Sequence, residues 1–332
     1  MSVFNLRRLG TINDVMKICQ DINDSIYDDK ITVDISNLTF AKPFATAFFA
    51  RELKYIASVR KEHDLATFIQ GHSAESMAIS YLKFIGFFDL IGLHGIGEPM
   101  RTKITPHCSY IPITRYLYKR FEPDINIDPM GQPVDLIDPE AKEISRLFTI
   151  DSQPHKIIQY IVCEIMRNAY EHSKTDYIYV WGQYWRTGTI ELAILDNGIG
   201  ILSTLKRKYP NLSNEEDAIK KSLVAGVSCA DFDIAKNKYG NSGFGLYVIS
   251  ELAKKYGSFF IASKNCAIQF LHGQRFIYNT SPAGTLICIR IDNISSRDYE
   301  REIDGIISTG RVTAAQGEYP ISPSKQTLSY KK

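Results

Sequence analysis

Glu164-Ile165-Met166-Arg167-Asn168, then Asp196-Asn197-Gly198-Ile199-Gly200, then Gly240-Asn241-Ser242-Gly243-Phe244-Gly245 are the three stretches on which the fold of this chain turns. The first lies in a helical pattern over 154–172, where Ile158, Val162, Ile165 and Ala169 recur at helical spacing as a stripe that faces a sheet. Ser152 is its expected N-cap. The second stretch directly follows an apolar strand pattern over 190–195, itself paired with 177–185 through the hairpin signal Arg186-Thr187-Gly188. The third feeds a helical pattern over 245–256.

Each stretch has a chemical reading and a plain one. Glu164 and Asn168 stand four residues apart, on one helix edge. An Asn oxygen suits Mg²⁺ when phosphates and water complete the shell, and a carboxylate one turn away can take a proton from water or a hydroxyl. Taken alone, the pair more often means a solvated Glu and a capping or polar Asn on a helix edge. Asp196 at a strand end can accept from an adenine amine, with Gly198 and Gly200 letting backbone approach the base. Yet Asn-Gly is a common turn dipeptide. A glycine turn entering a helix offers N–H groups to phosphate, but no strand leads into 240–245 as a dinucleotide fingerprint requires.

Around these stretches the chain divides into four parts. Residues 1–94 alternate strand (31–35), helix (44–60, with Pro43 at its start), strand (64–70), helix (73–85, ending at Gly86) and a last strand at 87–91, which argues for a small α/β domain. Residues 95–150 carry ten of the glycines and prolines and read as a connector with a strand near 110–118. Residues 151–293 hold the three stretches, a polar segment 201–239 with a helix at 214–225, and strands at 258–263, 267–271 and 285–291. Residues 294–332 read as a polar tail.

Composition excludes more than it selects. A net charge of +2 in 332 residues gives no reason to expect nucleic acid or an acidic membrane surface as partner. The apolar run 79–93 is broken by Lys83 and Asp89, so no segment is expected to span a bilayer. Six scattered cysteines without a CxxC pair fit reduced thiols in a cytoplasmic protein.

Taken in order, the helix with Glu and Asn, two strands, Asp-x-Gly-x-Gly, a polar segment, the glycine turn with its helix, and strands reaching Gly284-Thr285 resemble the Bergerat-fold ATPases. That superfamily includes gyrase B subunits, heat-shock chaperone ATPases, histidine kinases and MutL-type repair proteins, and the resemblance covers about 150–292. It implies an α/β (α+β sandwich) domain with helices on one face of a mixed sheet, and ATP with Mg²⁺ as cofactors. By the resemblance, Asn168 holds Mg²⁺, Asp196 reads adenine, and Gly198 and Gly200 shape the base pocket. Gly243 and Gly245 contact phosphates, with Gly240, Phe244 and Leu246 completing the cofactor turn, and Thr285 supports Asp196 directly or through water. Segment 201–239 becomes the lid, carrying Lys206, Arg207, Lys208, Lys236 and Lys238.

Glu164 separates the branches. Histidine kinases commonly have Asn there and need a phosphoacceptor hairpin, which does not precede residue 150; His155 and His172 lie on the 154–172 helix itself. In the hydrolytic branch the acid activates water; in anti-sigma-factor serine kinases it activates a protein hydroxyl. Val33-Asp34-Ile35-Ser36-Asn37-Leu38-Thr39-Phe40 and Tyr81-Leu82-Lys83-Phe84-Ile85-Gly86-Phe87-Phe88 resemble a STAS domain, the partner fold of those kinases. Where STAS switch proteins carry the phosphorylated serine, this chain has Ala41-Lys42-Pro43-Phe44-Ala45-Thr46. The expectation is therefore Mg²⁺-dependent ATP hydrolysis, with Glu164 as base, as a regulatory switch. Its output would pass through the STAS-like unit to an unknown protein partner or a second copy of the chain. The alternatives are a serine/threonine kinase acting in trans and an ATP sensor without turnover.

Overall fold

The computed structural model describes residues 1–97, 110–117, 137–148, 152–185, 187–229, 243–294, 298–317 and 319. The chain starts with β1 (Ser2–Asn5), β2 (Arg8–Leu9) and α1 (Ile12–Asp24), where Thr11 and Asp14 close a capping box. β3 (Lys30–Asp34), β4 (Phe40–Ala41), α2 (Pro43–Glu62), β5 (Ala66–Gln70), α3 (Met77–Ile85) and α4 (Phe87–Leu90) follow. β1, β3 and β5 form a parallel sheet in that order. α3 is capped by the Ser76 hydroxyl and ends at Gly86, in the left-handed conformation at φ +82°.

The strand expected at 87–91 is instead the single turn α4. Ile91 donates to the Phe87 carbonyl at 3.2 Å, and Phe87 and Phe88 are both fully buried. A short apolar run carries no periodicity that separates the two structures.

Beyond residue 97 come β6 (Tyr110–Leu117), α5 (Ile137–Phe148), α6 (Ser152–His172), β7 (Tyr177–Tyr184), β8 (Ile190–Asp196), α7 (Ile201–Leu205), α8 (Glu215–Ser222) and α9 (Gly245–Tyr256). β9 (Gly257–Leu271), β10 (Gln274–Ile291) and α10 (Tyr299–Gln316) complete the described elements. The strands expected at 258–263 and 267–271 are one strand, and its hairpin partner begins at Gln274 rather than 285. The five-stranded sheet has the order β6-β7-β8-β10-β9. Every pairing in it is antiparallel, so the expected mixed sheet is corrected: hairpins join β7 to β8 and β9 to β10, and hairpins pair strands only in that sense.

Period-two alternation in these strands builds two cores. Ile178, Val180, Ile190, Leu192, Ile194, Phe259, Ile261, Ile287 and Ile289 face the helices α6, α9 and α10. Trp181, Ala193, Leu195, Phe260, Ala262, Leu286 and Cys288 face the other way, into one core with α1, α2 and the parallel sheet. The molecule is therefore a mixed α/β stack: parallel sheet, helices, antiparallel sheet, helices. The helix at its centre is α2, most of whose 20 residues are buried, including Arg51, Glu52 and Arg60. Arg60 satisfies its guanidinium on the carbonyls of Ile26, Asp28 and Ala66 and on the Thr67 hydroxyl.

Three further expectations change. The stretch 95–150, read as a connector with a strand near 110–118, does supply that strand, as β6 of the sheet, but it also contributes the unexpected α5, packed against α6. The tail expected from 294 onward contains α10, whose Tyr299, Ile303, Ile307, Gly310 and Ala314 are buried in the helical layer. Its buried face uses glycine and alanine, which blunts the apolar signal. Within the expected lid, 201–229 is packed into the body: Ala218, Ile219, Leu223, Ala225 and Val227 are buried. No helix among the described residues is long and apolar enough to cross a membrane.

Candidate functional site

β8 delivers Asp196, buried, to the end of the antiparallel sheet. Its Oδ1 accepts from the amides of Gly198 at 2.7 Å and Thr285 at 3.2 Å, and the Thr285 hydroxyl also faces the carboxylate. Burial nevertheless outweighs these donors and the nearby Lys264, and the Asp196 pKa is pushed up to about 6. Gly198 permits the turn because a Cβ there would lie 2.3 Å from the Ser173 carbonyl oxygen. Behind the turn, Lys264 Nζ donates to the Gly198 carbonyl at 2.8 Å.

α6 and α9 converge on the same place. Glu164 and Asn168 share the face of α6 that borders a cavity enclosing about 980 Å³, solvent at its mouth included. Gly245 begins α9 directly against Glu164: a Cβ on Gly245 would sit 2.1 Å from Glu164 Oε2. The Glu164 carboxylate thus rests at the N-terminal turn of a 12-residue helix, with Arg167 Nη1 3.8 Å from its Oε1. Among the described residues no hydrogen bond is made by the Asn168 side chain, which is partly exposed on the cavity wall.

Of the residues singled out in the sequence, Glu164, Asn168, Asp196, Gly200, Gly243, Gly245, Leu246 and Thr285 line this one cavity. Gly198 lies behind it as a hydrogen-bond donor to Asp196. Phe244 does not line the cavity: its side chain is fully buried, edge-on to Tyr247 at 6.3 Å, with its ring against the Gly310 position of α10. A large apolar residue at the start of α9 is drawn into the helical core. Gly240, like Lys236 and Lys238, lies outside the described residues.

The wall also holds residues that carried no motif. His172, at the end of α6, has its pKa lowered to about 4 by burial and by the Arg207 charge, and is neutral at physiological pH. Its Nδ1 is 3.4 Å from Cys229 Sγ, whose own pKa burial raises. A neutral imidazole beside a neutral thiol is an unreactive pair. Glu215 of α8 is buried, and its Oε1 accepts from the amides of Ile201 at 2.9 Å and Leu202 at 3.1 Å and from the Ser263 hydroxyl. It ties the expected lid to the turn after Asp196. No spacing rule announces such a residue, because its partners are two backbone amides and a serine 48 positions away. No protein-family model matches the chain, and neither a curated protein nor a solved structure matches it.

Proposed function

We propose that the cavity binds ATP with Mg²⁺, and that the chain hydrolyses ATP slowly as a regulatory switch built on a Bergerat-type fold with a STAS-like N-terminal unit. The observation that carries this reading is the convergence, in one cavity, of Asp196 at a strand end, Glu164 and Asn168 on α6, and the N-terminal turn of α9. These come from three separate stretches of sequence, and each supplies a different part of one nucleotide.

Asp196, ionised, accepts from the adenine amine, with the amides of Gly198 and Thr285 fixing its rotamer. The backbone at Gly243, Gly245 and Leu246 lies where a helix N-terminus offers N–H groups to the phosphates. The donor set fits Mg²⁺: Asn168 offers one oxygen at the cavity wall, and phosphates and waters complete the shell. When bound, Mg²⁺ neutralises charge on the phosphates. Glu164, held between Arg167 and the α9 N-terminus, takes the proton of the attacking water. Arg207, close enough to bias His172, brings a positive charge towards the cavity.

The test is a calorimetric titration with ATP, with and without Mg²⁺, joined to phosphate release by the wild type and Glu164→Gln. The reading expects saturable, Mg²⁺-dependent binding, with binding kept and release lost in the variant. No binding by the wild type would reject the site, and undiminished release would remove Glu164 from the mechanism. Transfer of the γ-phosphate to a protein, in place of release, would convert the reading to a kinase. Thr46, the hydroxyl within the 41–46 stretch, is fully buried in α2 and is not open to phosphorylation.

A further inference from the structure

Arg51 belongs to α2, in the N-terminal unit, yet its side chain ends under the floor of the cavity in the other half of the molecule. Its Nε donates to the Gly284 carbonyl at 3.1 Å, and its Nη2 donates to the Lys264 carbonyl at 2.6 Å and the Ala283 carbonyl at 3.4 Å. Its Nη1 pairs with Glu52, and Glu52 Oε2 accepts from the Ser281 amide at 2.9 Å. Thr280 adds a second donor to the Lys264 carbonyl, at 2.9 Å. Arg51 and Glu52 are essentially unexposed.

The backbone they grip is irregular. The β9–β10 pairing slips register between Asn279 and Ala283 and again between Ala283 and Leu286. Such bulges leave carbonyls without ladder partners, and the guanidinium fork supplies donors to them. Two neighbouring groups then reach Asp196 and the turn that follows it. Gly284 packs so tightly behind Asp196 that a Cβ would stand 2.0 Å from the Asp196 carbonyl oxygen, and the next residue, Thr285, gives its amide to the Asp196 carboxylate. Lys264, whose carbonyl Arg51 holds, reaches the Gly198 carbonyl with its ammonium.

We infer that Arg51 is a positioning residue for the base end of the cavity: it fixes the β10 bulge that aims Thr285 and Lys264 at Asp196 and its turn. The N-terminal unit and the site are thereby one mechanical body, and a partner that shifts α2 alters base recognition. The consequence for ligand affinity rests on the nucleotide reading above; the positioning itself does not.

The experiment uses the full chain with Arg51→Lys, which keeps a charge beside Glu52 but cannot fork to two carbonyls. Arg51→Met/Glu52→Gln serves where the first variant fails to fold, since it removes both charges together. Amide hydrogen exchange is read at 196–200 and 284–287 and compared with 190–193 in the same sheet. Positioning expects faster exchange in the first two segments only, together with ATP affinity weakened about tenfold at a temperature well below unfolding. Unchanged exchange at 284–287, or a uniform rise in all three segments, overturns the role of Arg51. Wild-type protein that does not bind ATP defeats the nucleotide reading, and the exchange comparison still decides the positioning.

Discussion

Replacing Asp196 by Asn separates what the cavity needs from what the fold prefers. The carboxyl titrates at about 6 in the folded chain against an ordinary 3.8, a difference of 6 − 3.8 = 2.2. At ~1.36 kcal/mol per unit, folding around the ionised group costs about 3 kcal/mol. The folded pKa is raised, so the favourable contribution is complete below pH 3.8 and is lost as pH rises through about 6. Asn is nearly isosteric, and its oxygen can keep both the Gly198 and Thr285 amides satisfied. Asp196→Asn should therefore stabilise the ligand-free chain by ~1–3 kcal/mol at pH 7–8, with the gain vanishing near pH 4. Adenine nucleotide binding should be lost at every pH, a trade of stability against function.

Urea unfolding of both proteins across pH 4–8 measures the difference. The difference is needed because His172, with its pKa lowered to about 4, loses its contribution as pH falls from 6.5, opposing Asp196 in an overlapping window. A pH-independent difference, or a variant less stable at pH 8, would refute the account of Asp196 as a desolvated anion.

Gly245→Ala places a methyl carbon 2.1 Å from Glu164 Oε2, far inside van der Waals contact, so the carboxylate must move; phosphate release should fall about 10²-fold in a steady-state assay. Glu215→Ala leaves the Leu202 amide without its acceptor, and urea unfolding should register a loss of ~1–3 kcal/mol. Ile303→Ala empties a fully buried site under α10 and should cost ~2–5 kcal/mol in the same assay, whereas a loose tail would tolerate it. His172→Gln should flatten the acid side of the stability profile between pH 6.5 and 4, measured by thermal unfolding.

Sequence and structure part company where the signal is carried by something other than periodic apolar residues. The α6 stripe and the β7–β8 hairpin are legible because buried isoleucines and valines recur at the spacing of the element. The position of Asp196 at a strand end is legible because an apolar strand pattern runs straight into the turn dipeptide Asn197-Gly198. The α10 face is not, because Gly310 and Ala314 achieve close packing without hydrophobic bulk. Nor is Arg51: in the sequence an Arg-Glu pair on a helix looks solvated, and only the bulge in β10, brought up by the fold, gives it a buried use. Phe244 misleads in the opposite direction, since a residue between two cavity glycines points into the core.

The separation between α2 and its sheet has a consequence for biosynthesis. Arg51 meets the Gly284 carbonyl 233 positions further along the chain. At a ribosomal rate of 5–20 residues per second, about 10–50 s pass before that acceptor exists. For that interval Phe48 and the paired charges of Arg51 and Glu52 lack the β9–β10 hairpin that covers them in the finished protein. Substitutions in α2 should therefore lower yield in the cell more than they lower the equilibrium stability of the finished protein.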